Sequence, residues 1–309
     1  VKVAFQLNLI EALIVFKKDK TYLLTGSVNS YRSLVLDHKK GCVAPLTIQE
    51  CNVSSESGSD QVVVFMGANG VHLTNGKQVL DIHDDIDSLF DTTSGTYIDP
   101  THISTAKAVY DVAEEEYHLM FRSNSGSDLD KEYVYSMRHN RWYEVDRGTG
   151  AKIRCGASVI DTSGNTYTYG GIDTGHLVRM DNGTSFAKTT GTNDIAHTLQ
   201  TGDIALHEDN VGLKTGIRKL NLVGKAKETT TNEITITHHG DGITSGDAVD
   251  NTVSMSNSGY RIFDVVRSLK AHPYVYHSFK LAVSTNDESK GLEPLHLNVL
   301  YHPVRQKTE

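Results

Sequence analysis

Clustered carboxylates, histidines and cysteines are the side chains of this sequence that could do chemistry. Asp84, Asp85 and Asp87 form the densest acidic set, and two carboxylates facing one cleft could serve a glycoside hydrolase. They stand at the start of a predicted helical turn, however, where acidic groups favour the helix dipole, and that role accounts for them. Glu114, Glu115 and Glu116 read as a solvated turn between two strands. Fifteen histidines raise the question of a metal. His238 and His239 are adjacent, so on a strand they point to opposite faces and cannot chelate one ion together. His272, His277, His296 and His302 crowd the last part of the chain without the ligand spacing of a zinc site. Asp128-Leu129-Asp130 and Asp241-Gly242 could ligate calcium, but neither follows the EF-hand loop pattern, and both read as acidic loops. Cys42, Cys51 and Cys155 lack metal or redox spacing; an odd count without a signal-peptide pattern points to reduced, mostly buried thiols made in a cytosol. The sequence contains no Gly-x-Ser-x-Gly elbow, P-loop or dinucleotide fingerprint. The expectation is no catalytic residue, no cofactor, no metal ligand, and a chain that is not an enzyme.

The elements that would position these groups are strands. With 26 Gly and 14 Tyr among abundant Thr, Ser, Asn and Asp, the composition favours strands and turns over helices. At 309 residues the chain can bury a large core and is expected to hold two domains. A net charge of −8 argues against a general grip on nucleic acid through phosphate neutralisation. No run approaches the roughly 18 apolar residues of a membrane-spanning helix, so no membrane insertion by this chain is expected. The chain opens with Val1 directly in strand-like sequence, which points to an upstream part or a processed N-terminus.

The clearest hairpin lies in QVVVFMGANGVHLTNGKQVLDI. Val62 to Phe65 form a β-branched, apolar run, Ala68-Asn69-Gly70 supplies a turn that tolerates positive φ, and Val71, His72 and Leu73 return before Asn75-Gly76 turns the chain again. Similar hairpins precede and follow it, from residues 3–7 and 12–16 through Trp142-Tyr143-Glu144-Val145 to Leu177–Met180. Residues 84–90 carry Ile86, Leu89 and Phe90 at helical spacing and suit one or two helical turns. About four hairpin pairs recur at roughly 40–50 residues, the period of propeller blades, with an irregular β-sandwich as the alternative. From Lys188 the chain changes character. Residues 217–223, 233–237, 276–283 and 295–301 alternate as half-buried strands of an antiparallel sandwich, and His239 to Ser258 reads as a long loop. The fold class is therefore all-β, with propeller-like antiparallel blades over 1–187, possibly part of a larger propeller, and a β-sandwich over 188–309.

Several of these stretches, taken in order, resemble the tail nozzle family of short-tailed bacteriophages, the tail tubular protein B-like propeller tail-hub proteins. They are ALIVFKKDKTYLLTG, GCVAPLTI, VVVFMGANGVHLTNGKQVLDI, AVYDVAEEEYHLMF, YVYSMRHNRWYEVDR and DTSGNTYTYGGIDTGHLVRMDNGTSF. A Gly-Cys-x-Ala-Pro turn and recurring hairpins within one propeller carry the resemblance, which covers most of residues 10–186. It implies a non-enzymatic virion part: a homo-oligomeric ring, expected to be a hexamer, in the tail. Such a ring would be assembled in the host cytoplasm, dock other tail and adaptor proteins, and let DNA pass without sequence-specific binding. The acidic balance is consistent with a conduit that repels phosphate. Family members are longer than this chain, which would then be a carboxy-terminal portion or a compact relative.

Under that reading the working parts are interface strands and loops, with Ser54 to Asp60, Ser123 to Asp130 and His239 to Ser258 as candidates. Asp161, Ser163, Gly164, Asn165, Thr166 and Tyr167 are similar to the Asp-box hairpin of sialidase propellers, with Asp161 one residue too far from the glycine, and read as a stabilising turn. Trp142 beside Tyr143 could stack on a sugar or pack between blades. Asn52 and Asn182 begin glycosylation-type triplets that read as turn residues. A carbohydrate- or receptor-binding module on the same scaffold, and less so a propeller glycosidase, are the rival functions.

Overall fold

The computed structural model describes residues 4–6, 12–27, 30–55, 58–180, 182, 185–187, 192–194, 197–206, 213–227, 232–242, 247–255, 261–268, 273–283 and 291–304. It divides into two compact units: Val1–Asn182 with Ala187–Asn193, and Gly183–Phe186 with Asp194–Glu309. Among the described residues the elements are strands, apart from two short 3-10 helices.

The first unit is a series of antiparallel meanders in chain order. Sheet one holds β1 (Ala4–Gln6), β2 (Ala12–Phe16), β3 (Thr21–Ser27) and β4 (Ser30–Asp37). Sheet two holds β5 (Gln49–Ser55), β6 (Gly58–Met66), β7 (Val71–Thr74) and β8 (Val79–Asp81). Sheet three holds β9 (Lys107–Asp111), β10 (Glu116–Phe121), β11 (Lys131–Ser136) and β12 (Arg141–Val145). Sheet four holds β13 (Ile153–Ile160), β14 (Thr166–Ile172) and β15 (Leu177–Arg179). Each is a blade-like unit, because short turns leave a strand no partner but its neighbour in sequence.

The period-2 alternation of side chains then glues one sheet to the next. On β6, Val63 and Phe65 face sheet one and pack with Ile14 and Phe16, while Val62, Val64 and Met66 face sheet three and pack with Tyr117, Leu119 and Phe121. On sheet three, Val109 and Met120 face the other way, onto Ile153 and Ile172 of sheet four and Met180 just past β15. Sheets two and three are thus covered on both faces, which is why Val62 to Met66 is an unbroken apolar run. Full burial of one such side chain contributes about 1.5–3 kcal/mol. The 3-10 helix η1 (Asp84–Phe90) puts Ile86 and Leu89 into the core between sheets two and three, as its spacing predicts.

Strands β16 (Ser185–Ala187) and β17 (Thr192–Asp194) pair as a ribbon. In the second unit β18 (His197–Gln200), β19 (Ile204–Ala205), β21 (Asn232–Gly240), β22 (Asp247–Met255) and β24 (Tyr276–Val283) form one sheet. The other is β20 (Thr215–Lys227), β23 (Arg261–Ser268) and β25 (Gly291–Pro303). Leu199, Phe279 and Leu281 of the first sheet and Leu222, Leu295 and Leu297 of the second line one cleft of 130 Å³, so the two sheets face each other as a sandwich.

Two expected loops are strands. Ser54 and Ser55 end β5 and Gly58 to Asp60 begin β6, with Ser54 opposite Ser59 and Ser55 opposite Gly58; residues 56–57 lie outside the described residues. Backbone pairing continues there without apolar side chains. His239 to Ser258 contains the end of β21 and all of β22, whose Val249, Thr252 and Val253 are β-branched; residues 243–246 and 256–258 lie outside the described residues.

Candidate functional site

Two polar clusters stand out in sheets two and three. The first grows from the second hairpin. His72 is opposite Phe65 on β6 and opposite Asp81 on β8, which puts its ring on the inner face and its Nδ1 2.8 Å from Asp81 Oδ1. Lys40 Nζ reaches the same carboxylate at 2.8 Å. Just beyond β8, His83 turns back so that its Nδ1 is 3.1 Å from the Val71 carbonyl oxygen. Its ring meets that of His72 edge-on at 5.7 Å, and the Phe65 ring lies 5.3 Å from His72. Ligand atoms of His72, Asp81 and His83 lie within 4.8 Å of one another, the one such trio of His, Cys, Asp or Glu among the described residues. Burial holds His72 below the ordinary histidine range, against the raising effect of Asp81. Asp81, although burial works against its charge, is held below the ordinary carboxylate range by its hydrogen bonds to Lys40 and His72.

The glycines of this hairpin serve the histidines. Gly70 was expected to supply a positive φ; the structure gives that conformation to Gly76 instead, at 81°. A Cβ on Gly70 would sit 2.2–2.5 Å from three atoms of the His83 ring. One on Gly67 would sit 2.6 Å from His72 Nε2. Gly70 is therefore required for close approach rather than for turn geometry.

The second cluster is closed. His118 Nδ1 lies 2.9 Å from Glu132 Oε1, and Arg147 donates from Nε and Nη2 to both Glu132 oxygens at 2.7 and 2.8 Å. His118 and Glu132 are diagonal neighbours on β10 and β11, because Met120 is the residue opposite Glu132. All three groups are buried. Burial pushes the Glu132 carboxyl up, but Arg147 and His118 outweigh it and hold it at about 2. A bidentate guanidinium is what makes an acid tolerable between two sheets.

The residues singled out by sequence are mostly absorbed into structure. Asp85 accepts the Trp142 backbone N–H at 3.3 Å, and Asp87 lies 3.9 Å from His83, so these two carboxylates serve separate partners. Glu115 takes φ 58° at the turn, where its carbonyl accepts the Met137 N–H. Ser123 to Asp130 is tied down rather than fully exposed: Asp130 accepts the Ser123 N–H and O–H at 2.7 Å each, and Leu129 is buried. Asp161 accepts the N–H groups of Ser163 and Asn165 at 2.8 Å, the stabilising turn expected of it. Trp142 packs between sheets two and three against Tyr117 and Tyr135, with its indole N–H on the Ile82 carbonyl. Asn52 sits on β5, where its carbonyl accepts the Tyr110 hydroxyl at 2.9 Å. Cys42 and Cys51 are buried and Cys155 exposed, and none of the three is in a disulfide.

In the second unit His238 stacks on His277 at 5.1 Å, its Nε2 2.9 Å from His277 Nδ1, a pair the sequence separates by 39 positions. His277 in turn meets Thr215 Oγ1 at 2.7 Å. His272 lies outside the described residues, while His302 sits beside Gly216 and His296 lines the sandwich cleft. Asp241 takes φ 48° and accepts the Val275 and Tyr276 N–H groups, a turn role.

No protein-family model matches the chain, and no curated protein does. Among solved structures it is similar to the enzymatically active domain of tailspike protein 4 of bacteriophage CBA120, at 18% identity and a TM-score of 0.23, over 50% of this chain. The chain spans only 18% of the length of that tailspike chain. It is also similar to a family 43 arabinoxylan arabinofuranohydrolase of Bacillus subtilis (9% identity, 98% of this chain, 78% of that one, TM-score 0.26). A bifunctional family 43 protein of Bacteroides eggerthii is another (10% identity, 96% of this chain, 53% of that one, TM-score 0.30). Likeness at these scores assigns no function. It does correct one expectation: the chain was read as not an enzyme, whereas these solved structures are glycoside hydrolases and an enzymatic tailspike domain, so that exclusion does not stand.

Proposed function

We propose that the chain is a β module of a bacteriophage tail that assembles with copies of itself, as a subunit of the nozzle or hub ring. The observation that carries the reading is where large apolar side chains are left in water. The four most exposed among the described residues lie on the first and last sheets of the blade series: Tyr31 and Leu34 on β4 are 60% and 61% exposed, and Ile160 on β13 and Leu177 on β15 are 70% and 72% exposed. β4, β13 and β15 are also edge strands, so each offers unpaired backbone groups beside those side chains. A neighbouring copy offers a blade surface of the same kind. The residue patterns shared with tail nozzle proteins support the same reading. In it the ring, expected to hold six copies, docks other tail and adaptor proteins of the virion, and DNA passes through it without sequence-specific contacts.

A second reading, a carbohydrate- or receptor-binding module of a virion, is favoured by the aromatic faces of Tyr31 and of Tyr143 on edge strand β12, the latter 42% exposed. Sugar rings stack on such faces. Negative-stain images of the purified chain and a glycan array, read for both binding and bond cleavage, test the two together. Closed rings with a hole about as wide as a DNA duplex support the tail-ring reading. Single copies that bind or cleave one class of glycan overturn it in favour of the second.

A further inference from the structure

We infer that His72, Asp81 and His83 form a binding site for one divalent transition-metal ion, with zinc the best match to two imidazoles and a carboxylate. The donor set is pre-arranged. The Val71 carbonyl can only accept a hydrogen bond, so His83 Nδ1 carries the proton and Nε2 presents its lone pair. A backbone carbonyl fixing the tautomer of a ligating histidine is the usual outer support of a metal site. His72 packs against the rings of Phe65 and His83, and Gly67 and Gly70 leave the room both imidazoles occupy. Two metal–ligand bonds of about 2.1 Å span up to about 4.2 Å, against a donor separation of at most 4.8 Å here. Small side-chain rotations close the difference.

On binding, the proton that His72 Nδ1 now directs at Asp81 moves to Nε2, and the ion takes its place between Nδ1 and the carboxylate. Lys40, which shares the Asp81 carboxylate, swings into solvent. Water completes the coordination. The ion would then fasten the end of β8 and the start of η1 to β7, at the entry to the core between sheets two and three.

Zinc titrated by calorimetry into the chelator-stripped full chain tests the site, alongside His83→Ala and Asp81→Asn. The expected result is uptake of one ion per chain by the wild type, weakened at least about tenfold in both variants. Cobalt in place of zinc should give visible d–d bands of a four-coordinate ion in the wild type and lose them in the variants. Failure of the wild type to take up zinc overturns the site, as does uptake of equal affinity in the variants. If His83→Ala does not fold, the isosteric and partly exposed Asp81→Asn decides alone.

Discussion

His72–Asp81 in sheet two and His118–Glu132 in sheet three are the same chemical pair, a histidine directed at a carboxylate between neighbouring strands at 2.8 and 2.9 Å. Their surroundings separate them. Glu132 is buried between two sheets and compensated by a two-point guanidinium, leaving both of its oxygens engaged at short range. Asp81 is 41% exposed, its cationic partner is a flexible lysine, and a second histidine stands beside the first. The closed cluster can hold sheets together but has no room for a ligand. The open one contributes little to stability and is free to exchange a lysine for an ion. Depth in the blade, rather than residue type, decides which role a histidine–carboxylate pair can take.

The largest expected effect breaks the closed cluster. Arg147→Ala leaves Glu132 as an uncompensated buried charge and should cost about 3–5 kcal/mol in chemical denaturation. The same cluster sets an acid limit. The Glu132 carboxyl is held below its unfolded value, so its contribution is complete above about pH 4.5 and is lost as pH falls towards about 2. The loss is on the order of 3 kcal/mol by linkage, and Glu132→Gln should flatten the stability–pH curve across that window. In the open cluster, Gly70→Ala drives a methyl into the His83 ring and should cost about 1–3 kcal/mol, with loss of zinc uptake. Asp81→Asn should change stability by less than about 1 kcal/mol while weakening zinc binding, which sharpens the contrast with Glu132. Smallest of all, Lys40→Ala removes the competitor for Asp81 and should tighten zinc binding by a factor of a few, read by calorimetry; weaker binding would mean that Lys40 supports the site.

Much of the fold is legible because hairpins are local. Asn75-Gly76, the β-branched run at Val62 and the helical spacing of Ile86 and Leu89 each specify their element within a few residues. What was not legible depends on partners distant in sequence. Glu132 reads as an ordinary polar position of a strand, and only the arrival of sheet four and Arg147 makes it a buried ion. Sheet three is covered on both faces, so alternation along KEYVYS no longer separates inside from outside. Strand β22 was hidden by the Asp, Asn and Ser between its β-branched residues. Asn69-Gly70 shows a subtler failure: the dipeptide signals a turn correctly, yet the glycine is fixed by a ring thirteen positions downstream. The trio His72, Asp81 and His83 has no standard ligand spacing, but the i, i+2 pair of Asp81 and His83 after a hairpin containing His72 was the available signal.

Assembly through the exposed flanks of the first and last blades is the claim on which the proposed function rests, and solution mass over a range of concentrations tests it most directly. Sedimentation of the wild-type chain beside a Leu34→Lys, Ile160→Lys variant gives the comparison. The account predicts a wild type heavier than one chain and a variant shifted to the monomer with an unchanged melting temperature. A wild type that remains a monomer at the highest concentration, indistinguishable from the variant, would contradict it.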